Sequence, residues 1–264
     1  MKSPSEFFIV IADQRSGSTF LQNSLSIQKD IFCYSTGKLE RNFSNFGKTL
    51  DYKKDCKKRA DWRKGNNGKL VVKLAHLVLS KEKGDKKFFG FKCHPHRVLT
   101  IPNYFEFLSS KNAKIIFLTR DNILLSFISR ETTRQKTNNS RSHYATKQEN
   151  NKVFKLNPIN IEYNKYIKYK SKTKQQQKNK LLNINKYKLP YIHITYEEIN
   201  ENFDRCLNKI FDFLELNKDT IINCKGFVGT RCGHKIEDKI LNYQEFKKAA
   251  EENNDIETLN FLRE

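Results

Sequence analysis

The sequence predicts a three-layer α/β/α domain built around a central parallel sheet. Four short apolar runs, rich in β-branched or aromatic residues, have the length and composition of buried parallel strands. Segments with helical periodicity lie between them, which is the order of a repeated strand–helix–strand unit. The runs are residues 7–12, 88–93, 113–119 and 189–195.

Three segments repeat apolar residues at spacings of three and four, which is typical of amphipathic helices. They cover residues 18–27, 121–134 and 196–216. Thr195 and Glu198 form a T-x-x-E capping box in front of the third segment, so we expect one long helix to begin there.

Two further stretches are less regular. Residues 37–84 match no pattern, and we predict a variable insertion there beside the functional site. Residues 163–188 start with aromatic residues at helical spacing and continue as a Lys/Gln/Asn tract, which predicts a solvated helix end and a loop. The sequence shows no linker, so we predict a single domain over residues 1–264.

Composition limits the function classes. With 50 Lys and Arg against 29 Asp and Glu, the net charge is +21, which fits either diffuse solvated lysine or a field that attracts anions. The six cysteines form no CxxC pair, which favours free buried thiols. No apolar run reaches the length of about 18 residues that a membrane span needs. The apolar stretch at residues 7–12 is too short for a signal peptide, so we expect a cytoplasmic protein without a membrane span.

Residues 13–19 connect the first strand to the first helix, where backbone N–H groups and a helix N-terminus favour an anion. Compared with the nucleotide-triphosphatase template GxxxxGK(S/T), the segment keeps Gly17 and Thr19, lacks the first glycine and has Ser18 in place of lysine. Arg15 supplies a cation inside the loop instead. This P-loop-like segment, which we call the phosphate loop, therefore suits a phosphate or sulfate better than ATP–Mg²⁺ chemistry.

The letters QRSGSTFL after an apolar strand resemble the 5′-phosphosulfate loop of sulfotransferases that use 3′-phosphoadenosine 5′-phosphosulfate (PAPS). The resemblance is strongest to bacterial nodulation-factor and trehalose-type carbohydrate sulfotransferases. It implies that PAPS is the cofactor and that the following residues contact it: Arg15, Ser16, Gly17, Ser18, Thr19 and Phe20.

Residues 115–129, IIFLTRDNILLSFIS, resemble the 3′-phosphate motif of the same family. The resemblance assigns Arg120, at the end of a strand, and Ser129, on the next helix, to one phosphate. Arginine at the carboxyl end of a strand and a hydroxyl on the next helix can both reach an anion at that edge of a sheet. Ser126 is a competing candidate for the hydroxyl.

The letters GFKCHPH at residues 90–96 resemble a further strand of this family. They suggest that Lys92 assists the departing phosphate and that His94 is the general base, because a neutral imidazole accepts a proton near pH 7. Glu40, in TGKLERNF, is the rival base by resemblance to the trehalose-type enzymes, and a structural role for His94 is also open.

Toward the C-terminus, Lys225 and the glycine after it resemble part of a loop that closes over the 3′-phosphate in cytosolic sulfotransferases. The arginine that precedes the lysine in that loop is missing here, since Cys224 stands in its place. An ordinary basic loop is the alternative interpretation.

Together the motifs predict an enzyme that transfers a sulfuryl group from PAPS to a hydroxyl, without a metal ion. The resemblance implies a small-molecule or glycan acceptor, and residues 37–84 and 135–158 are where we expect its pocket. A degenerate P-loop kinase and a non-catalytic protein that binds RNA or another polyanion are the alternatives. No nucleic-acid motif is recognisable in the sequence, so we expect no specific nucleic-acid partner.

Overall fold

The computed structural model describes residues 6–35, 85–93, 104–135, 158–222 and 235–263. The predicted insertion at residues 37–84 lies outside these ranges. Three predicted site residues also lie outside them, namely Glu40, His94 and Lys225. Their roles stay predictions.

A five-stranded sheet organises the fold, with the strand order β2-β3-β1-β4-β5 and every neighbouring pair parallel. All four predicted strands are confirmed, and β2 is an additional short strand that follows the first helix. The strands are β1 (Glu6–Ala12), β2 (Ile31–Ser35), β3 (Phe88–Cys93), β4 (Lys114–Thr119) and β5 (Tyr191–Thr195).

The described residues also form α-helices, and three of them were not predicted from the apolar spacing: the second, seventh and eighth. The helices are α1 (Ser18–Ser26), α2 (Tyr104–Ser110), α3 (Ile123–Gln135), α4 (Tyr163–Lys186), α5 (Tyr196–Glu201), α6 (Phe203–Leu214), α7 (Tyr243–Glu252) and α8 (Ile256–Arg263).

Two helix predictions need correction. The single helix predicted over residues 196–216 is two helices, because Asn202 adopts an extended backbone and its side chain caps α6 by accepting from the Arg205 N–H. The capping box of Thr195 and Glu198 is confirmed at the start of α5. The loop predicted within residues 163–188 is wrong, since α4 continues without a break to Lys186.

The described residues group into two compact units. The first comprises described residues of 1–119 and 176–224, and the second those of 120–175 and 225–264. In the first unit, alternate side chains of β1 enter different cores on the two faces of the sheet. One core contains Ile9 and side chains of α2 and the end of α4, and the other contains Val10 and side chains of α1 and α6. The predicted three-layer α/β/α arrangement is therefore confirmed.

The second unit has its own core, which lies between α3, the first half of α4, α7 and α8. Aromatic rings dominate it: the Tyr166 ring lies 5.6 Å from the rings of both Phe127 and Phe246. Such edge-to-face pairs add directional preference to apolar burial.

The central position of β1 determines where a ligand site can form. β3 and β4 pair with its two sides, so the connection between these strands passes across β1. In open parallel sheets, the crevice at the carboxyl end of such a strand is the usual ligand site. β3 approaches β1 closely at Gly90, where a Cβ atom would lie 2.3 Å from the Phe8 carbonyl oxygen.

Within the described ranges, no helix combines the length and the apolar character that crossing a bilayer requires. The longest, α4, has 24 residues and a mostly polar sequence.

Candidate functional site

The phosphate loop starts directly after β1 and is anchored at its first residue. The Asp13 N–H donates to the Leu118 carbonyl oxygen at 3.0 Å, which continues the pairing of β1 with β4. The Ser16 hydroxyl donates to the Asp13 carbonyl oxygen at 2.8 Å. These two bonds fix the backbone at the start of the loop.

Two residues of the loop have left-handed backbone conformations. Arg15 has φ +66° and Gly17 has φ +75°. This region costs a residue with a side chain about 1–2 kcal/mol, whereas glycine enters it freely. Gly17 has a second constraint, because a Cβ atom there would lie 2.9 Å from Cδ2 of Tyr196. Turns of this kind gather backbone N–H groups on one side, a geometry that favours anions.

Helix α1 begins immediately after the loop with Gly17 as its N-cap. Glycine has no side chain with which to cap the helix, and the first bond within the helix runs from the Leu21 N–H to the Gly17 carbonyl oxygen. The N–H groups of the first turn therefore have no acceptor within the helix, and the helix dipole adds positive potential there.

Lys92, near the end of β3, extends a buried ammonium group to this first turn. Its Nζ donates to the Thr19 Oγ1 at 2.6 Å, and the residue is only 4% exposed. Among the residues that the structure describes, no carboxylate forms an ion pair with Lys92. Burial lowers the pKa of Lys92 from 10.5 to about 8, with a smaller opposing effect from Cys33.

Cys33, a described neighbour of Lys92, does not supply a negative charge either. Burial raises the pKa of its thiol to about 12, so the neighbouring ammonium faces a neutral thiol near pH 7. A buried cation without a counter-ion is unfavourable, and a ligand anion would remove this cost. The phosphate loop, the first turn of α1 and Lys92 together form a candidate site for a phosphate or sulfate group.

The Asp13 carboxylate is held by α4. Gln177 Nε2 donates to Asp13 Oδ2 at 2.5 Å, and Lys180 Nζ donates to Asp13 Oδ1. Lys180 is fully buried, and its Nζ lies 5.2 Å from the centre of the Phe117 ring. This contact was not predicted from the sequence, because a Lys/Gln/Asn tract is typical of a solvated segment. Helical spacing is the one signal that could have revealed it, since residues three apart share a helix face.

The predicted 3′-phosphate residues belong to the second unit. Arg120 follows β4 and is 8% exposed. On α3, Ser126 is buried with its hydroxyl 3.1 Å from the Tyr169 hydroxyl, whereas Ser129 is half-buried. The choice between the two serines stays a prediction.

The remaining predicted contacts of the loop differ in exposure. Ser16 and Ser18 are buried, whereas Arg15, Gly17 and Thr19 are half-buried. Phe20 uses its side chain in packing, because its ring lies 4.6 Å from the Phe203 ring of α6.

Across the described part of the chain, no group of three or more His, Cys, Asp or Glu side chains is arranged to hold a metal ion.

Comparisons with known proteins leave the family of this chain open. No protein-family model matches the sequence. No curated protein matches it either. A solved structure with a similar backbone is the sulfotransferase domain from the curacin biosynthetic pathway, which is 14% identical in sequence. That similarity covers 88% of this chain and 80% of that one, with a TM-score of 0.47.

Proposed function

We propose that this chain is a PAPS-dependent sulfotransferase that transfers a sulfuryl group to a hydroxyl of a carbohydrate acceptor. The observation that carries the proposal is the buried Lys92 ammonium, which contacts Thr19 in the first turn of α1. Lys92 is buried, and no carboxylate among the described residues pairs with it. Its ammonium lies where the phosphate loop ends and α1 begins. This combination favours a strongly anionic ligand.

The residues present suit the phosphosulfate end of PAPS. When bound, PAPS supplies an activated sulfuryl group on a phosphate that can leave. We assign the binding of this phosphate to Arg15, Lys92 and the backbone N–H groups of residues 16–19. Cations and N–H donors fixed in place stabilise the charge that grows on a leaving oxygen, and they need no metal ion to do so.

Two further roles are part of the proposal. Arg120, with Ser129 or Ser126, would bind the 3′-phosphate, because charge-assisted bonds from arginine give both affinity and geometry. His94 would accept the proton of the acceptor hydroxyl, with Glu40 as the rival base. The sequence motifs support these roles.

The alternatives make different predictions about ligands. A kinase of the P-loop type needs ATP with Mg²⁺, but Ser18 replaces the lysine of its motif. A polyanion-binding protein that relies on diffuse charge would bind RNA with strong salt dependence, and replacing Arg15 or Ser129 would change this binding little.

Calorimetric titration with 3′-phosphoadenosine 5′-phosphate (PAP), compared with ATP–Mg²⁺, tests the proposal without knowledge of the acceptor. We expect micromolar PAP binding that Arg120→Ala weakens at least tenfold. Arg134→Ala is the matched control, since this exposed arginine lies on α3, the helix that follows Arg120, and pairs with Glu131. Absence of PAP binding, or a preference for ATP–Mg²⁺, would overturn the proposal.

A further inference from the structure

We propose that Asp13, Gln177 and Lys180 form a latch that positions the phosphate loop, and that Lys180 neutralises a carboxylate that would otherwise repel the bound anion. The inference rests on the proposed function, because it assumes an anion at the loop. All three residues lie in the first unit. We call them the Asp13 latch.

The first support is the completeness of the bonding at Asp13. Its backbone N–H binds Leu118, and its carbonyl oxygen accepts from Ser16. Its carboxylate oxygens accept separately from Gln177 and Lys180. Asp13 is 5% exposed, so water contributes little to these contacts. The first residue of the loop is thus fixed both to β4 and to α4.

The second support is the packing of the α4 residues that hold Asp13. Gln177 and Lys180 are three residues apart and share a face of the helix. Lys180 is fully buried against the Phe117 ring of β4. Ile184, one helical turn later, belongs to the same hydrophobic core as Phe117. A shift of α4 along its axis would break both bonds to Asp13.

The third support is electrostatic. The first residue of the phosphate loop, Asp13, carries a carboxylate, and in our proposal the same loop binds a ligand with several negative charges. Charges interact strongly across a buried region, where the effective dielectric constant is low. The Lys180 ammonium contacts the Asp13 carboxylate directly and neutralises its charge. Removing the lysine and removing the carboxylate should therefore have opposite effects on anion binding, although each removes the same ion pair.

The test is PAP titration of Lys180→Met, Asp13→Asn and the double variant at pH 7 and constant ionic strength. We expect Lys180→Met to weaken PAP binding at least tenfold, because Asp13 is left without its counter-charge. Asp13→Asn keeps the shape of the side chain and leaves the Lys180 charge, so we expect equal or tighter binding. The double variant should bind within about threefold of the wild type, because it removes both charges of the ion pair, and the amide oxygen of asparagine at position 13 can still accept from Gln177.

Lys178→Met is the matched control. Lys178 is an exposed lysine between the two latch residues on α4, so this variant removes the same charge without touching Asp13. We expect a change in PAP affinity below twofold. A loss as large as that of Lys180→Met would overturn the electrostatic role, because it would show that any charge on α4 has the same effect.

Other outcomes are equally decisive. If both single latch variants weaken PAP binding to a similar extent, the latch is structural only and the charge argument is wrong. If Lys180→Met does not fold, Asp13→Asn alone still tests the proposal. A tenfold loss of PAP affinity in Asp13→Asn would contradict the neutralising role of Lys180.

If the wild type does not bind PAP, the proposed function fails, and the latch is tested without ligand. Thermal midpoints of the same four proteins then give the coupling between Asp13 and Lys180. Additive changes in the midpoints would overturn the latch.

Discussion

Lys92→Met should make the protein more stable at pH 7 while it removes anion binding. The substitution replaces a buried ammonium with an uncharged side chain of similar length. The fall of the Lys92 pKa from 10.5 to about 8 corresponds to a cost of about 3 kcal/mol for keeping the charge buried. Loss of the hydrogen bond to Thr19 offsets about 1 kcal/mol or more of the gain. We expect a net gain of about 1–2 kcal/mol at pH 7.

The pH dependence identifies the cause of this gain. Because the pKa is lower in the folded state, the unfolded chain binds more protons between pH 8 and 10.5, and wild-type stability rises with pH in that window. The variant lacks this contribution. Its advantage should therefore be full below pH 8 and disappear as the pH approaches 10.5.

Urea unfolding at pH 7, 8, 9 and 10 measures the difference directly. The buffers must contain neither phosphate nor sulfate, since a bound anion would stabilise the wild type by mass action. Lys111→Met serves as the control, because Lys111 is exposed and surface substitutions usually change the free energy of unfolding by less than about 0.5 kcal/mol. A Lys92→Met variant that is less stable than the wild type by the same amount at every pH would refute the argument, since it would show that the charge already has a stabilising partner.

Two further substitutions and one pH titration have measurable outcomes. Gly17→Ala should lower the free energy of unfolding by about 1–2 kcal/mol or more, because alanine is strained at positive φ and its Cβ would contact the Tyr196 ring at 2.9 Å; urea unfolding checks this, and an unchanged midpoint would contradict it. Thr195→Ala should cost about 1 kcal/mol by removing the capping box of α5, and Thr195→Ser should restore most of it. Calorimetry between pH 7 and 10 should show PAP affinity falling above pH 8 in the wild type, where Lys92 loses its proton; a flat profile would exclude Lys92 from the site.

Much of the sheet could be predicted because buried parallel strands are continuous apolar runs. The residues of β1, for example, are all apolar from Phe7 to Ala12, and the structure buries every one. The break between α5 and α6 could not be predicted in the same way. Asn202 resembles any polar residue on the surface of a helix, and only its backbone conformation shows that it ends one helix and caps the next.

The candidate site shows a similar division. The order of strand, loop and helix places residues 13–19 correctly, and the motif draws attention to Lys92. The burial of Lys92 and its bond to Thr19 depend on the pairing of β3 with β1, which sequence spacing does not give. The Asp13 latch was missed because lysines in a Lys/Gln/Asn tract are usually solvated. Only the packing of α4 buries Lys180 and directs it to Asp13.

NMR titration of the Lys92 ammonium with and without PAP shows whether an anion binds beside it. Lysine labelled with ¹³C at Cε gives a signal that follows the charge, and Lys92→Met identifies the resonance by its loss. In the free protein we predict a titration midpoint of about 8. Saturating PAP should raise this midpoint by at least one pH unit, because a bound phosphate places a negative charge beside the ammonium. A midpoint that PAP leaves unchanged would contradict the assignment of this site to an anionic ligand.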